Sequence, residues 1–163
     1  MEKYTVGSAV RQMSVHMANL YYYITKEMVA AFGIEASREA LEKAMVAFGR
    51  ARGAAIAEKV KAAGEALTIE NLDKYYDIPI AEGWDLHRTY AEGRKDNTTD
   101  SCTFADVWID KDWREVGHIY CLVDIAIREG YSQGLPEGER VVFNPGKNII
   151  KGDNCCTSVT VYE

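Results

Sequence analysis

Apolar positions near the start of the chain recur every three or four residues. Val10, Met13, Met17, Leu20, Tyr21, Ile24 and Met28 share one face of a helix running to about Ala31. Ser8 would cap that helix and Gly33 would stop it. The run Tyr21-Tyr22-Tyr23 points around the helix, so it reads as core and rim packing, and His16 beside the stripe reads as a surface residue. A second helix is predicted from Ser37 to about Ala63. Leu41, Met45, Phe48, Ala55 and Ile56 form its apolar side, and Gly64 ends it. Its many alanines allow close approach, and the first helix is the expected neighbour. Gly49-Arg50-Ala51-Arg52-Gly53 interrupts the pattern. Thr68 opens a short helix from Ile69 to about Tyr75.

The period then changes. Pro79 and Gly83 punctuate the chain, and Trp84, Leu86, Arg88 and Tyr90 alternate with polar residues, which predicts a strand with His87 on its solvated face. Glu92 to Ser101 is polar and contains Gly93, so it reads as a loop. Helices are predicted over 103–109 and 113–129, the second stopped by Gly130. Three extended runs close the chain, at 140–143, 148–151 and 155–162. Helices, a strand, helices again and a meander make an α+β pattern in one domain over 1–163. The expected architecture is an antiparallel sheet with an N-terminal helical pair and central helices packed mainly on one side.

Composition narrows the function. The 163 residues are 47% apolar and 27% charged, ordinary for a globular domain able to bury a core. A net charge of −6 with both signs interspersed argues against nucleic-acid and anionic-membrane partners. The first residues show no cationic stretch followed by an apolar run, so a cytoplasmic location is the expectation. The four cysteines have no Cys-x-x-Cys spacing and are too few for a disulfide scaffold; thiols are expected.

All four cysteines lie in the C-terminal third, where the candidate chemistry concentrates. On the predicted helix from Trp113, Val116, Tyr120, Val123 and Ile127 form the core stripe. His118, Cys121, Asp124 and Arg128 fall on a different face, at steps of three to four. That face is either solvated or the lining of a pocket, and Cys121 favours the pocket because free cysteine is seldom solvated. Cys155 and Cys156 are adjacent in a strand and point to opposite faces. Cys155 shares parity with Val159 and Val161 and reads as core. Cys156 shares parity with Ser158, Thr160 and Tyr162 and is the better pocket candidate.

Cys102-Thr103-Phe104-Ala105, Cys121-Leu122-Val123-Asp124 and Gly152 four residues before Cys156 resemble, in order and spacing, the L-2-amino-thiazoline-4-carboxylic acid hydrolase family. The likeness is good over 84–162 and general in the N-terminal helices. Ser158 and Asn148-Ile149 depart from the family's usual residues. The resemblance implies hydrolysis of a cyclic, non-peptide carbon–nitrogen bond, opening an aminothiazoline ring toward a carbamoyl-cysteine. Two routes fit the residues. Cys102, Cys121 and Cys156 would hold zinc and acidify a bound water, with Asp124 or His118 moving protons. Or Cys121 or Cys156 attacks as thiolate, with His118 or Asp124 as base. Arg128, or Arg50 and Arg52, would take the carboxylate of a small-molecule substrate through a guanidinium fork; the alternative for Arg50 and Arg52 is surface charge. A small-ligand or metal sensor domain without turnover is the competing reading, and buried structural thiols are the simplest one.

Overall fold

The computed structural model describes residues 9–78 and 84–163. The expected cap Ser8 and the punctuating Pro79 and Gly83 lie outside them. Two long helices come first, α1 (Ala9–Phe32) and α2 (Ile34–Ala62), then the short α3 (Ile69–Lys74). A hairpin of β1 (Trp84–Ala91) and β2 (Arg94–Cys102) leads into α4 (Thr103–Asp110). Next come α5 (Arg114–Gly117), a 3-10 turn (His118–Cys121) and α6 (Leu122–Ser132). The chain ends with β3 (Val141–Pro145), a second 3-10 turn (Ile149–Lys151) and β4 (Cys156–Tyr162). The sheet is antiparallel throughout, in the order β1-β2-β4-β3, with helices packed against it. The α+β expectation stands.

Several boundaries differ from the sequence reading, each for a physical reason. Gly33, at φ 81°, turns the chain directly from α1 into α2, so Ser37 is a buried residue inside the helix rather than its cap. Gly49 and Gly53 do not interrupt α2. A Cβ at Gly53 would lie 2.0 Å from the Ile127 carbonyl oxygen, and one at Gly49 would lie 2.5 Å from the Ala126 Cβ. The two glycines are where α2 and α6 meet backbone to backbone, so the main neighbour of α2 is α6 rather than α1. Gly130 belongs to the same contact and sits inside α6, which ends at Ser132.

The predicted loop at 92–101 is instead β2. Its polar residues misled because the strand is central and lines a cavity: Lys95 and Thr99 are buried, whereas Arg94 and Asp100 are exposed. The run 148–151 is a 3-10 turn, not a strand. In β4 the expected polarity is inverted. Ser158 and Thr160 face inward, at 8% and 0% exposure, while Val159 and Val161 are only half-buried. Cys155, just before the strand, is buried as expected.

One core cluster joins α2, α3, α6 and β3 through Ile56, Val60, Leu72, Val123, Ile127, Tyr131 and Val141. A second joins α1 to α4 through Ala18, Phe104, Val107 and Trp108. The Trp108 indole N–H donates to the Ala18 carbonyl at 3.0 Å, and Tyr21 OH donates to the Val116 carbonyl at 3.0 Å. α1 therefore turns Ser14, Ala18 and Thr25 inward. Four residues of its predicted core stripe, Met13, Met17, Leu20 and Ile24, are exposed.

Candidate functional site

A cavity of about 370 Å³ lies between the sheet and the α5–α6 segment. The helical side brings His118, Cys121, Asp124 and Arg128 to it, so the face identified in sequence is a cavity wall. Cys121 closes the 3-10 turn that precedes α6. That local tightening keeps the thiol and its neighbours one turn away on a common side.

The sheet side supplies Cys102, at the end of β2, and Cys156, at the start of β4. Trp84 pairs with Cys102 across the β1–β2 hairpin, and its indole N–H donates to the Cys102 sulfur at 3.1 Å. Gly152 takes φ 104°, a left-handed conformation that costs glycine least, and turns the chain out of the 3-10 turn toward β4. This gives the glycine-to-cysteine spacing a physical reason. The Ile149 amide donates to the Cys156 sulfur at 3.3 Å, and the Asn148 amide nitrogen stands 4.0 Å from the Cys121 sulfur. The turn and its cap residue Asn148 thus reach both thiols.

Burial keeps all three thiols protonated at neutral pH. It pushes Cys102 up to about 11 and Cys121 up to about 12, the latter aided by the Asp124 charge. Cys156 is raised for the same reason. His118 moves the other way: burial first, then the Lys151 charge, holds its imidazole below the usual range, so it is a neutral base at pH 7.

The opposite part of the cavity is cationic. Lys95 is 3% exposed and its ammonium donates to both Asp73 oxygens at 2.8 Å. Tyr90 OH donates to the same carboxylate at 2.7 Å. Burial, then the Arg128 charge, lowers Lys95 to about 8 despite Asp73. Arg128 stacks on Phe143 at 4.8 Å, with one terminal nitrogen donating to the Asp124 carbonyl at 3.0 Å. Its Nε is buried and has no hydrogen-bond partner within the protein. A carboxylate entering here would meet an ammonium paired with Asp73 and a guanidinium whose terminal nitrogen lies 3.5 Å from the Asp124 carboxylate.

The structure thus gathers Cys102, Cys121, Cys156, His118, Asp124 and Arg128 around one cavity and leaves Cys155 out. It does not bring Arg50 or Arg52 there. Arg50 pairs with Glu129 at 2.8 Å on the surface. Arg52 holds Asp77 in a two-pronged bond at 2.6 and 2.7 Å, lying over Phe48 and Tyr76. Both guanidinium groups already have carboxylates of their own. Lys95, Asp73 and Arg88 of the cavity were missed in sequence, because the strand carrying Lys95 reads as a loop. The Lys95-Asn97-Thr99 alternation after Gly93 was the available signal.

Zinc on the three cysteines fits poorly. Among the described residues, the one set of three potential ligands with donor atoms within 4.8 Å of each other is Asp85, His87 and Asp100, on the exposed outer face of the sheet. The cysteine sulfurs are not such a set as the side chains stand, whereas zinc–sulfur bonds of ~2.3 Å need them close together.

Two solved structures share this fold. One is the trafficking protein particle complex subunit 3 from Naegleria fowleri covalently bound to palmitic acid, at TM-score 0.58 and 13% identity, covering 92% of this chain and 95% of the other. The second is the phenol-responsive sensory domain of the transcription activator PoxR with phenol, at TM-score 0.53 and 17% identity, covering 88% and 73%. Neither likeness carries more than the fold at such identities. No curated protein sequence matches significantly. The family model for L-2-amino-thiazoline-4-carboxylic acid hydrolase matches residues 13–159, nearly the whole chain and both walls of the cavity, and the chain belongs to that family.

Proposed function

We propose that the cavity binds a small cyclic amidine bearing a carboxylate and hydrolyses its ring carbon–nitrogen bond, with an aminothiazoline carboxylate as the first substrate to try. The observation that carries this reading is the division of one cavity into a thiol wall and a cationic pole. Arg128 and Lys95 hold the carboxylate. The ring carbon then faces Cys121 and Cys156. His118 takes the thiol proton as sulfur adds to that carbon, and returns it to the ring nitrogen as the carbon–nitrogen bond breaks. Water next attacks the enzyme-bound carbon, His118 accepts its proton, and the cysteine leaves as thiol. Substrate and one water give a carbamoyl-cysteine, with atoms and charge in balance. Because burial holds the thiol neutral, this route needs His118 to take the proton with the attack rather than before it.

A second reading is a small-ligand sensor without turnover. The raised thiols favour it, and one structural neighbour is a phenol-responsive sensory domain. Incubation with the aminothiazoline carboxylate separates the two. Carbamoyl-cysteine accumulating over many turnovers supports the hydrolase; ligand bound and released unchanged supports the sensor.

A further inference from the structure

We infer that α1 is the surface through which two copies of this chain pair, with their α1 helices antiparallel. Met13, Met17, Leu20 and Ile24 are 58%, 44%, 56% and 52% exposed. They follow one another at steps of four, three and four, and the same rhythm continues through Glu27 to Ala31. This 3.5-residue repeat is the narrow seam of a helix that packs along another helix. The inward side of α1 is already supplied by Val15, Tyr21, Tyr22, Met28 and Val29, packed on the core around the buried Ser14, Ala18 and Thr25. The exposed seam is therefore a second apolar stripe, which a helix facing only water on its outer side would not carry.

The neighbouring composition fits an interface. Residues 12–25 contain no Asp, Glu, Lys or Arg, in a chain that is 27% charged. Interface centres lose charged residues and gain Met and Tyr. With the adjacent Tyr23, 57% exposed, the seam offers roughly 500 Å² of side chain per copy, the apolar centre of an interface of ~800 Å² per partner. Gln12, His16 and Asn19 supply a polar rim.

A second copy is the occupant that the seam itself matches. A straight strip pairs with its own image about a two-fold axis. The strip also fixes the direction. Parallel pairing would face two Glu27 carboxylates across the seam. Antiparallel pairing about Leu20 sets them roughly 20 Å apart, each near the Met13 end of the other copy. It also opposes the helix dipoles. Leu20 then meets Leu20, and Met17 of each copy meets Ile24 of the other.

Sedimentation of the full chain at micromolar concentration tests this. The expected species has about twice the 18.2 kDa chain mass. Leu20→Glu should weaken pairing at least ~100-fold and give a monomer with an unchanged helical circular dichroism spectrum. Should that variant misfold, Leu20→Cys provides the test: mild oxidation should yield a covalent dimer well above the native-chain background, whereas Met13→Cys should not. A monomeric native chain, a folded Leu20→Glu protein that still pairs, or Met13→Cys linking to itself more readily than Leu20→Cys would overturn the inference.

Discussion

The two ends of the cavity solve burial in opposite ways. The thiol wall is neutral: Cys102, Cys121 and Cys156 are small, soft, half-buried groups that carry no charge to compensate. The cationic pole is charged. Lys95 and Asp73 are 4% and 7% exposed as a pair, and Arg128 keeps a buried nitrogen without a protein partner. Buried charge is costly and does little for stability compared with apolar packing. A fold retains such groups where a ligand makes use of them. On the proposed function the thiols react and the cations bind, so the two should respond differently to substitution and to pH.

The largest expected effect is at the charged end. Lys95→Ala strands a buried Asp73 carboxylate and should destabilise the protein by about 3–5 kcal/mol, read by chemical denaturation. Replacing both members, Lys95→Met with Asp73→Leu, should recover most of that loss. A single variant as stable as the native chain would mean that the pair is not desolvated.

At the thiol end, Cys121→Ser should cut turnover at least ~100-fold, because a hydroxyl is a far weaker nucleophile, while changing stability by less than ~1 kcal/mol. Native-rate turnover in this variant would remove Cys121 from the chemistry and favour the sensor reading.

The pH response separates the ends further. The Lys95 ammonium is intact below about 8 and is lost as pH rises through that value. KM for a carboxylate substrate should therefore rise above pH 8, by up to ~10-fold per unit, and Lys95→Arg should flatten the profile. Stability should move the other way. Unfolded lysine titrates near ~10.4, so between about 8 and ~10.4 the unfolded chain binds more protons and the Lys95 contribution to stability grows with pH. Alkylation at Cys121 should be slow at pH 7.5 and accelerate steadily toward its value of about 12, where an activated thiolate would already have reached a plateau.

The smallest effect belongs to Cys155, which lies outside the cavity. Cys155→Ser should leave turnover unchanged and lower stability by about 1 kcal/mol.

The thiol wall was legible in the sequence and the cationic pole was not. Helical spacing alone placed His118, Cys121, Asp124 and Arg128 together, because the 3-10 turn within that segment shifts the faces little. Strand parity alone put Cys156 on the cavity face, although for the wrong reason. The valines that seemed to mark the core lie on the outer face of the sheet. Parity tells which residues share a side, but when the inner side lines a polar cavity, hydrophobicity no longer tells which side is inside. The same inversion hid β2, whose inward residues are Lys95, Asn97 and Thr99. The packing of α2 was misjudged because Gly49 and Gly53 signal a break and a close approach equally well. The α1 stripe misled because α1 is apolar on two sides, and Met13, Met17, Leu20 and Ile24 lie on the exposed one.

The contact at Gly53 also bears on how this family could acquire new substrates. A single methyl group there would run into the α6 backbone at 2.0 Å, so the helix carrying Cys121, Asp124 and Arg128 is pinned by main chain against main chain. Mutations cannot retune that wall by sliding α6 without first breaking the contact. The opposite wall has more latitude: Trp84, Leu86 and Arg88 present side chains from β1, the edge strand of the β1–β2 hairpin. Inherited variation in substrate range should therefore accumulate in the hairpin, and a selection experiment for a bulkier ring should return changes there before any in α6.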